Sequence, residues 1–178
     1  LEPQLDIGVD SGYVGFYAAR LLESVVGRDE VAFADFFDPV EGREGGQPGG
    51  NIRVALLLNP ARVSLARRGE AGPLDATRPE GSGRSLRLSL SPGRVAPSSA
   101  AFTLTEGEGV RRSLAVELLF RGKPLFLVVN HWSSKFDDDR AQGATQPPRT
   151  PTTAKRLAQA REVRAFVDRL LVADPAAR

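Results

Sequence analysis

The sequence contains no cysteine and no methionine, and it has a single histidine, His131, and a single tryptophan, Trp132. Without cysteine the chain forms no disulfide bonds and has no thiolate chemistry. Histidine is the side chain best suited to exchange a proton near neutral pH, because its ordinary pKa lies in that range. Any proton transfer by a histidine side chain in this sequence therefore depends on His131.

Neither sign of charge dominates, and no apolar run is long. The chain has 24 Lys and Arg against 22 Asp and Glu, a formal net charge of +2 that does not by itself indicate a nucleic-acid partner. No stretch reaches the roughly 20 consecutive apolar residues that a membrane span needs. With 178 residues, of which 41% are hydrophobic, the chain can bury a sizeable core as one globular domain.

The clearest pattern lies between residues 111 and 135, RRSLAVELLFRGKPLFLVVNHWSSK. Apolar residues alternate across 114–119, which predicts a strand. Arg121-Gly122-Lys123 predicts a tight turn, with glycine supplying the backbone freedom. The continuous apolar run at 124–129 then predicts a second strand, covered on both of its faces.

Polar side chains begin abruptly where the second predicted strand ends, in the segment Asn130-His131-Trp132-Ser133-Ser134-Lys135. Antiparallel pairing would place Arg111, at the start of the first strand, beside Asn130 and His131 at the end of the second. A buried strand that ends in such residues can direct polar groups into a cleft. The alternative is a histidine at a strand end whose ring nitrogens are satisfied by its neighbours.

Helical spacing of apolar residues predicts two helices, at 14–26 and 152–172. Short strands are predicted at 32–34, 52–58 and 63–66. The alternating leucines at 86, 88 and 90 predict a strand or an extended loop. The Gly- and Pro-rich residues 67–83 predict an irregular surface excursion. Strands and helices together predict an α/β fold.

Two loops contain residues that could suggest a ligand site. The glycine-rich run at 42–50 lacks the Gly-Lys-Ser/Thr ending of a phosphate-binding loop, so a surface loop is the better interpretation. The acidic trio Asp137-Asp138-Asp139 lacks the alternating ligands, central glycine and terminal glutamate of an EF-hand loop. We therefore predict a solvated turn there.

Four segments form a combination that is more specific than any one of them. They are GGNIRVALLLNPARV at 49–63, RRSLAVEL at 111–118, NHWSSK at 130–135, and Gln146-Pro147-Pro148 followed by Arg156 and Gln159-Ala160. Together they resemble motifs of the endonuclease/exonuclease/phosphatase superfamily, in particular its secreted bacterial extracellular nucleases. The sequence departs from the family at Asp6, where the family has glutamate, and at Leu58, where it often has tyrosine.

The resemblance implies an α/β fold, a DNase I-like sandwich of two mostly antiparallel sheets flanked by helices. Residues 1–178 would form a single partial domain, because the family's later G-D-F-N and S-D-H motifs do not occur in this sequence. The chain would then be a fragment with an exposed sheet edge, marginal stability and very weak activity alone. The resemblance also implies an extracellular or cell-surface location, although no signal peptide is recognisable in this sequence.

The implied function is metal-dependent phosphodiester hydrolysis of the nuclease type, with DNA or RNA as substrate and Mg²⁺ or another divalent cation as cofactor. The implied site consists of catalytic His131, Asn130 and Arg111, substrate-binding Asn51 and Lys135, and metal-binding Asp6. Arg111 and His131 would donate hydrogen bonds to the phosphoryl oxygens, and Asn130 would orient neighbouring groups or the phosphate.

Three alternatives stay open at this point. Asp6 and Asp10 could be solvated turn residues that bind no metal. The protein could be a phosphatase of the same superfamily that acts on a small phosphorylated or lipid substrate. It could also be a catalytically inactive remnant, or a binding module, that keeps only the core of the fold.

Overall fold

The computed structural model describes residues 32–34, 54, 56–59, 61–72, 74–102, 111–135 and 138–178. Over these ranges the protein is mixed α/β, with antiparallel sheets and one α-helix. The strands are β1 (Ala32–Ala34), β2 (Leu56–Leu58), β3 (Val63–Leu65), β4 (Pro79–Glu80), β5 (Arg87–Leu88), β6 (Gly93–Arg94), β7 (Leu114–Phe120) and β8 (Lys123–Val129). The helix is α1 (Thr153–Ala173), and a short 3-10 helix spans Gly83–Ser85.

The predicted hairpin is present as β7 and β8. They pair in antiparallel register from Leu114 opposite Val129 to Phe120 opposite Lys123. The two turn residues both have positive φ, 52° at Arg121 and 72° at Gly122. Such a two-residue turn has the twist that matches a right-handed pair of strands. The predictions of two strands and a tight turn are therefore confirmed, with the strands extended by one residue each toward the turn.

Strand β7 is the centre of the largest sheet. β8 pairs along one edge of β7, while β6 and β3 pair with the two ends of its other edge. The two faces of β7 contribute to different hydrophobic clusters. One cluster contains Leu114, Val116, Leu118, Val54 and Leu58, and the other contains Ala115, Leu86, Leu88, Val95, Phe166 and Leu170. β7 therefore joins the two main parts of the described core.

Strand β8 is less covered than its sequence predicts. β7 is buried from Leu114 to Leu118, whereas β8 is exposed at Lys123 and Pro124 and only half-buried beyond them. Among the described residues β7 is the only strand that pairs with β8. On the other edge of β8, Phe126 N donates a hydrogen bond to the main-chain oxygen of Arg178. The prediction that 124–129 is covered on both faces is wrong, because no residue of β8 is fully buried.

Helix α1 confirms the helix predicted at 152–172, with a shift of one residue. It packs against the sheet through Phe166 and Leu170, which are buried beside Leu86, Leu88 and Ala115. Burying each of the two helix side chains contributes about 1.5–3 kcal/mol of hydrophobic free energy. The packing fixes α1 over the face of β7 that carries Ala115.

The N-terminus of α1 is capped by a carboxylate from the preceding loop. Asp138 Oδ1 accepts hydrogen bonds from Thr152 N at 3.0 Å and Thr152 Oγ1 at 2.8 Å. The main-chain N–H groups of a first helical turn have no partner within the helix, so this contact stabilises the helix start. Arg156 Nη2, at the end of that turn, donates to Asp138 Oδ2 at 2.8 Å.

Asp138 and Asp139 are not solvated turn residues, so the prediction of a solvated acidic turn is wrong for them. Asp139 accepts hydrogen bonds from Arg149 through its main-chain N at 2.9 Å and its Nε at 3.0 Å. Hydrogen bonds from Arg149 lower the pKa of Asp139. Burial alone would raise the pKa of Asp138, but hydrogen bonds from Arg156 and Thr152 outweigh it and lower that pKa. Asp137 lies outside the described residues.

Glu117, in the middle of β7, has a buried carboxylate that forms an ion pair with Arg68. The Glu117 carboxylate accepts two hydrogen bonds from Arg68, at 3.0 Å from Nε and 2.8 Å from Nη2, and one from Leu88 N at 2.9 Å. Glu117 N donates to Ser91 Oγ at 2.9 Å. The Glu117 side chain, whose exposed fraction is 2%, thus joins β7 to the segments that carry Arg68 and Leu88.

The shorter predicted elements are confirmed in part. The strand at 32–34 is present, those at 52–58 and 63–66 are observed at 56–58 and 63–65, and the leucine alternation at 86–90 yields only β5. The excursion at 67–83 is more ordered than predicted, since it contains β4 and buried Thr77. The helix predicted at 14–26 and the loop at 42–50 lie outside the described residues. Over the part of the chain that is described, no helix is both long and apolar enough to cross a bilayer.

Candidate functional site

The start of β7 and the end of β8 meet at one rim of the sheet. One step beyond the pair Leu114–Val129, the register places Ser113 opposite Asn130, and Ser113 Oγ donates to Asn130 Oδ1 at 2.6 Å. The charge of Arg111 acts on His131, whose pKa it lowers. The prediction that Arg111, Asn130 and His131 lie at the same rim is confirmed. Their catalytic roles stay predictions.

Arg111 is a cation without a counter-charge in the described part of the chain. No described Asp or Glu forms an ion pair with it, and its Nε is buried with no hydrogen-bond partner. Burial lowers the pKa of the Arg111 guanidinium. An unpaired charge that is partly removed from water is costly. An anion at the terminal nitrogens of Arg111 would offset that cost with charge-assisted hydrogen bonds.

His131 is held toward its neutral form. Partial burial, and then the positive charge of Arg111, lower its pKa below the ordinary value of 6.5. A neutral imidazole has one nitrogen that donates a hydrogen bond and one that accepts. At neutral pH His131 can therefore donate one hydrogen bond to a ligand while its other nitrogen remains able to accept a proton.

Asn130 has a fixed amide orientation. Its Oδ1 accepts from Ser113, and its Nδ2 donates to Val128 O at 3.2 Å. An amide nitrogen carries two hydrogens, so one remains to donate to a ligand. Sequence reasoning missed the contribution of Ser113, which is fully buried directly opposite Asn130. Extending the predicted hairpin register by one pair would have indicated it.

The two residues after His131 have buried polar atoms without partners. These are Trp132 Nε1 and Ser133 Oγ, in addition to Arg111 Nε at the same rim. Nearly all buried polar atoms in folded proteins have a hydrogen-bond partner, so a group of exceptions needs an explanation. All three groups can donate. Each of these donors suits a ligand or ordered water that offers an acceptor, and a phosphate group is one such ligand.

A helix lies behind the segment that carries these residues. Gln159 of α1 is completely buried, and its Oε1 accepts from Ser133 N at 2.9 Å. Its Nε2 donates to Ala101 O at 3.2 Å. Arg156, one turn earlier, donates from Nη1 to Ser134 O at 3.1 Å. The sequence indicated Arg156 and Gln159 only as part of a family motif, because their partners lie far away along the chain.

The remaining predicted residues are placed as follows. Lys135 is exposed at the end of the same segment, and its side chain has no acidic partner among the described residues. Asn51 and Asp6 lie outside the described residues, so their predicted roles in substrate and metal binding are untested. The ranges that the structure describes contain no group of three or more His, Cys, Asp or Glu side chains that could hold a metal ion.

A cavity of about 520 Å³ lies at the opposite end of the hairpin, beside Gly122. Its charged lining residues are Arg84, Lys123, Asp174 and Arg178. It contains none of the residues that the motifs indicate and no histidine. The rim is therefore the better candidate site, because the chemically capable side chains gather there.

Comparisons of this chain with protein-family models, with curated proteins and with solved structures gave no match. The superfamily therefore stays a prediction from the motifs.

Proposed function

We propose that this protein binds phosphodiesters at the rim formed by Arg111, Asn130 and His131, and that it hydrolyses them as a nuclease-type enzyme of the endonuclease/exonuclease/phosphatase superfamily. One observation carries the proposal. It is the partly buried Arg111 guanidinium beside His131, with no carboxylate partner in the described part of the chain. A site with that charge attracts an anion.

The fold supports the proposal at a coarser level. An antiparallel sheet built on β7, with α1 packed on one face, suits one half of a DNase I-like sandwich. The motif-bearing segments 111–118 and 130–135 meet at one rim of this sheet. Motifs gathered in this way favour a common site over chance similarity.

The chemistry follows from the charges that develop during phosphodiester hydrolysis. Negative charge on the phosphoryl oxygens increases toward the transition state, and fixed donors stabilise it. Arg111 would supply a permanent positive charge, and His131 and Asn130 would each supply one hydrogen-bond donor. Each such contact lowers the barrier by on the order of 3 kcal/mol.

The proposed cofactor is Mg²⁺ or another divalent cation, which would neutralise charge on the phosphate. The ligand that the resemblance implies is Asp6. Because the described residues do not complete a metal site, we assign no step of the reaction to the ion.

The exposure of the rim favours a polymeric substrate over a small phosphoester. Asn130, His131 and Lys135 are all exposed. Sites for small molecules enclose most of the ligand's surface, whereas a nucleic acid can lie across an open rim. DNA or RNA is therefore the proposed substrate, and an extracellular location belongs to the same proposal.

Cleavage of plasmid DNA and of single-stranded oligonucleotides tests the proposal, with Mg²⁺ and with Mg²⁺ plus a chelator. We expect weak cleavage that the chelator abolishes and that His131→Ala and Arg111→Gln each reduce further, by up to about 100-fold. Arg84→Gln is the matched control, because it removes an exposed arginine at the opposite end of the hairpin. Cleavage that is unchanged in both rim variants would refute the proposed site.

Two other outcomes identify the alternatives. Release of phosphate from a small monoester without DNA cleavage would indicate a phosphatase. DNA binding that needs Arg111 and His131, with no hydrolysis of either substrate, would indicate a binding module.

A further inference from the structure

We infer that Gln159 is a positioning residue, which holds His131 and Trp132 at the rim by fixing the backbone of Ser133 against α1. The consequence for catalysis rests on the proposed function. The positioning itself rests on contacts within the chain alone.

The segment that carries His131 has no regular secondary structure. It is fixed by hydrogen bonds on both sides of His131. On one side Ser113 Oγ donates to Asn130 Oδ1, and on the other Ser133 N donates to Gln159 Oε1. His131 and Trp132 lie between these two attachments, so the loss of either would release them.

Gln159 joins two segments at once. Its Oε1 accepts from Ser133, and its Nε2 donates to Ala101 O in a different loop. A neutral amide offers an acceptor and a donor in one side chain, which both partners require. Leucine at this position would leave a buried N–H and a buried C=O unpaired. Glutamate would keep the acceptor for Ser133 and lose the donor to Ala101.

Packing and a second hydrogen bond strengthen the same attachment. The Trp132 ring contacts a small cluster that contains Ala101, Phe102, Ala158 and Val163. Arg156 donates to Ser134 O from the face of α1 that carries Gln159, since residues three apart lie on one face of a helix. The helix therefore fixes the main chain of the segment at two successive residues.

The first part of the test needs no substrate. His131 and Trp132 are the only residues of their types, so the imidazole NMR signals and the tryptophan fluorescence of the whole chain each report one site. In the wild-type protein we expect the Ser133 amide to exchange with solvent at least about tenfold more slowly than an unprotected amide. In Gln159→Leu we expect that protection to be lost, the fluorescence to shift to longer wavelength and the imidazole signals to move.

The second part measures DNA cleavage with Mg²⁺. In Gln159→Leu we expect kcat to fall by on the order of 100-fold with little change in KM, because a displacement near 1 Å can cost that much. Gln159→Glu keeps the oxygen that accepts from Ser133 but loses the donor to Ala101 O, so it should restore the Ser133 protection, the spectra and kcat only in part. Ser99→Ala is the control, because Ser99 Oγ donates to Glu162 of α1 and accepts from Ala101 N, so the variant weakens the attachment of the Ala101 loop without touching Ser133.

The outcomes separate this inference from the proposed function. An unprotected Ser133 amide in the wild-type protein overturns the inference, even if no variant folds. Spectra that are identical in Gln159→Leu and wild type also overturn it, as does an equal loss in Gln159→Leu and Ser99→Ala. If the wild-type protein cleaves no DNA, the proposed function fails while the spectra still decide the positioning of His131.

Discussion

At the scale of single residues, the rim differs from the rest of the described structure in the balance of its charges. Two other partly buried arginines pair with carboxylates, Arg68 with Glu117 and Arg156 with Asp138. Arg111 instead lies near His131, whose pKa its charge lowers. A cation placed near an imidazole disfavours its protonation, so Arg111 holds His131 toward the neutral form.

We therefore expect His131 to titrate below 6.5, its ordinary pKa. Arg111→Gln should raise the pKa of His131 while leaving it below 6.5, because partial burial contributes more to the shift than the charge does. Added phosphate should also raise it, since a bound anion favours the imidazolium. The NMR titration needs no assignment, because the chain has one histidine. A pKa above 6.5 in the free protein would contradict the geometry of the rim.

The Glu117–Arg68 pair predicts an asymmetry between two variants. The exposed fraction of the side chain is 2% for Glu117 and 37% for Arg68. Arg68→Met leaves a buried carboxylate without its partner and should cost about 3–5 kcal/mol of unfolding free energy. Glu117→Gln leaves an arginine that can turn to water and keeps an acceptor for Leu88 N, so it should cost about 1–3 kcal/mol.

Urea unfolding measures both costs. Arg87→Met is the control, because it removes one partner of the exposed pair with Glu80 and should change stability by less than about 0.5 kcal/mol. Equal costs for Arg68→Met and Glu117→Gln would show that the carboxylate is less buried than described.

At the scale of elements, local patterns predicted structure well and distant partners were missed. The β7–β8 hairpin and α1 were predicted because their signals lie within one short stretch each: alternation, a glycine turn and a helical stripe. β4, β5 and β6 have two residues each, too few to show a period. β4 and β5 pair with each other, and β6 pairs with a distant segment, since Gly93 lies opposite Ala115.

The residues of the candidate site likewise divide into those that local patterns predicted and those that they missed. Arg111, Asn130 and His131 could be placed at one rim because strand order and register follow from the hairpin. The contribution of Gln159 could not be predicted, because its bonds reach Ser133 and Ala101, many residues away. Asp138 was misinterpreted for the same reason, since its partners Thr152 and Arg156 lie beyond a proline-rich loop.

The cap of α1 predicts a pH dependence of stability. The Asp138 carboxylate is favoured in the folded state, where its pKa lies below the ordinary value of 3.8. Its contribution is therefore fully present above pH 3.8 and is lost as the pH falls through the folded-state pKa. Asp138→Asn should lower the melting temperature at about pH 6, and the difference from wild type should shrink as the pH falls below 3.8. A difference that persists in acid would indicate packing instead of charge.

At the scale of the whole molecule, the charge is nearly balanced, so any affinity for nucleic acid must be local. The net charge is only +2. Arg111 and Lys135 are the cations at the rim without acidic partners in the described part of the chain. Two cations of this kind would displace two counterions from DNA, which predicts a modest salt dependence and weak binding.

Binding of duplex DNA in the presence of a chelator should therefore weaken with salt with a log–log slope of about −2. Arg111→Gln and Lys135→Gln should each reduce the magnitude of that slope by about 1, while Arg84→Gln should leave it unchanged. Fluorescence anisotropy of labelled DNA across a salt series measures this slope for each variant. A slope that depends on Arg84 and not on Arg111 would place the DNA at the other end of the hairpin.

The attachment of Ser133 to α1 links the rim to the order in which the chain folds. A hairpin with a two-residue turn forms within microseconds, whereas the docking of α1 on Leu86, Leu88 and Ala115 closes long loops and comes later. The strands that carry Arg111 and His131 can therefore pair before the segment around His131 is fixed. On heating, loss of the α1 contacts would release Ser133 and with it the site, so activity should disappear no later than the cooperative unfolding of the sheet.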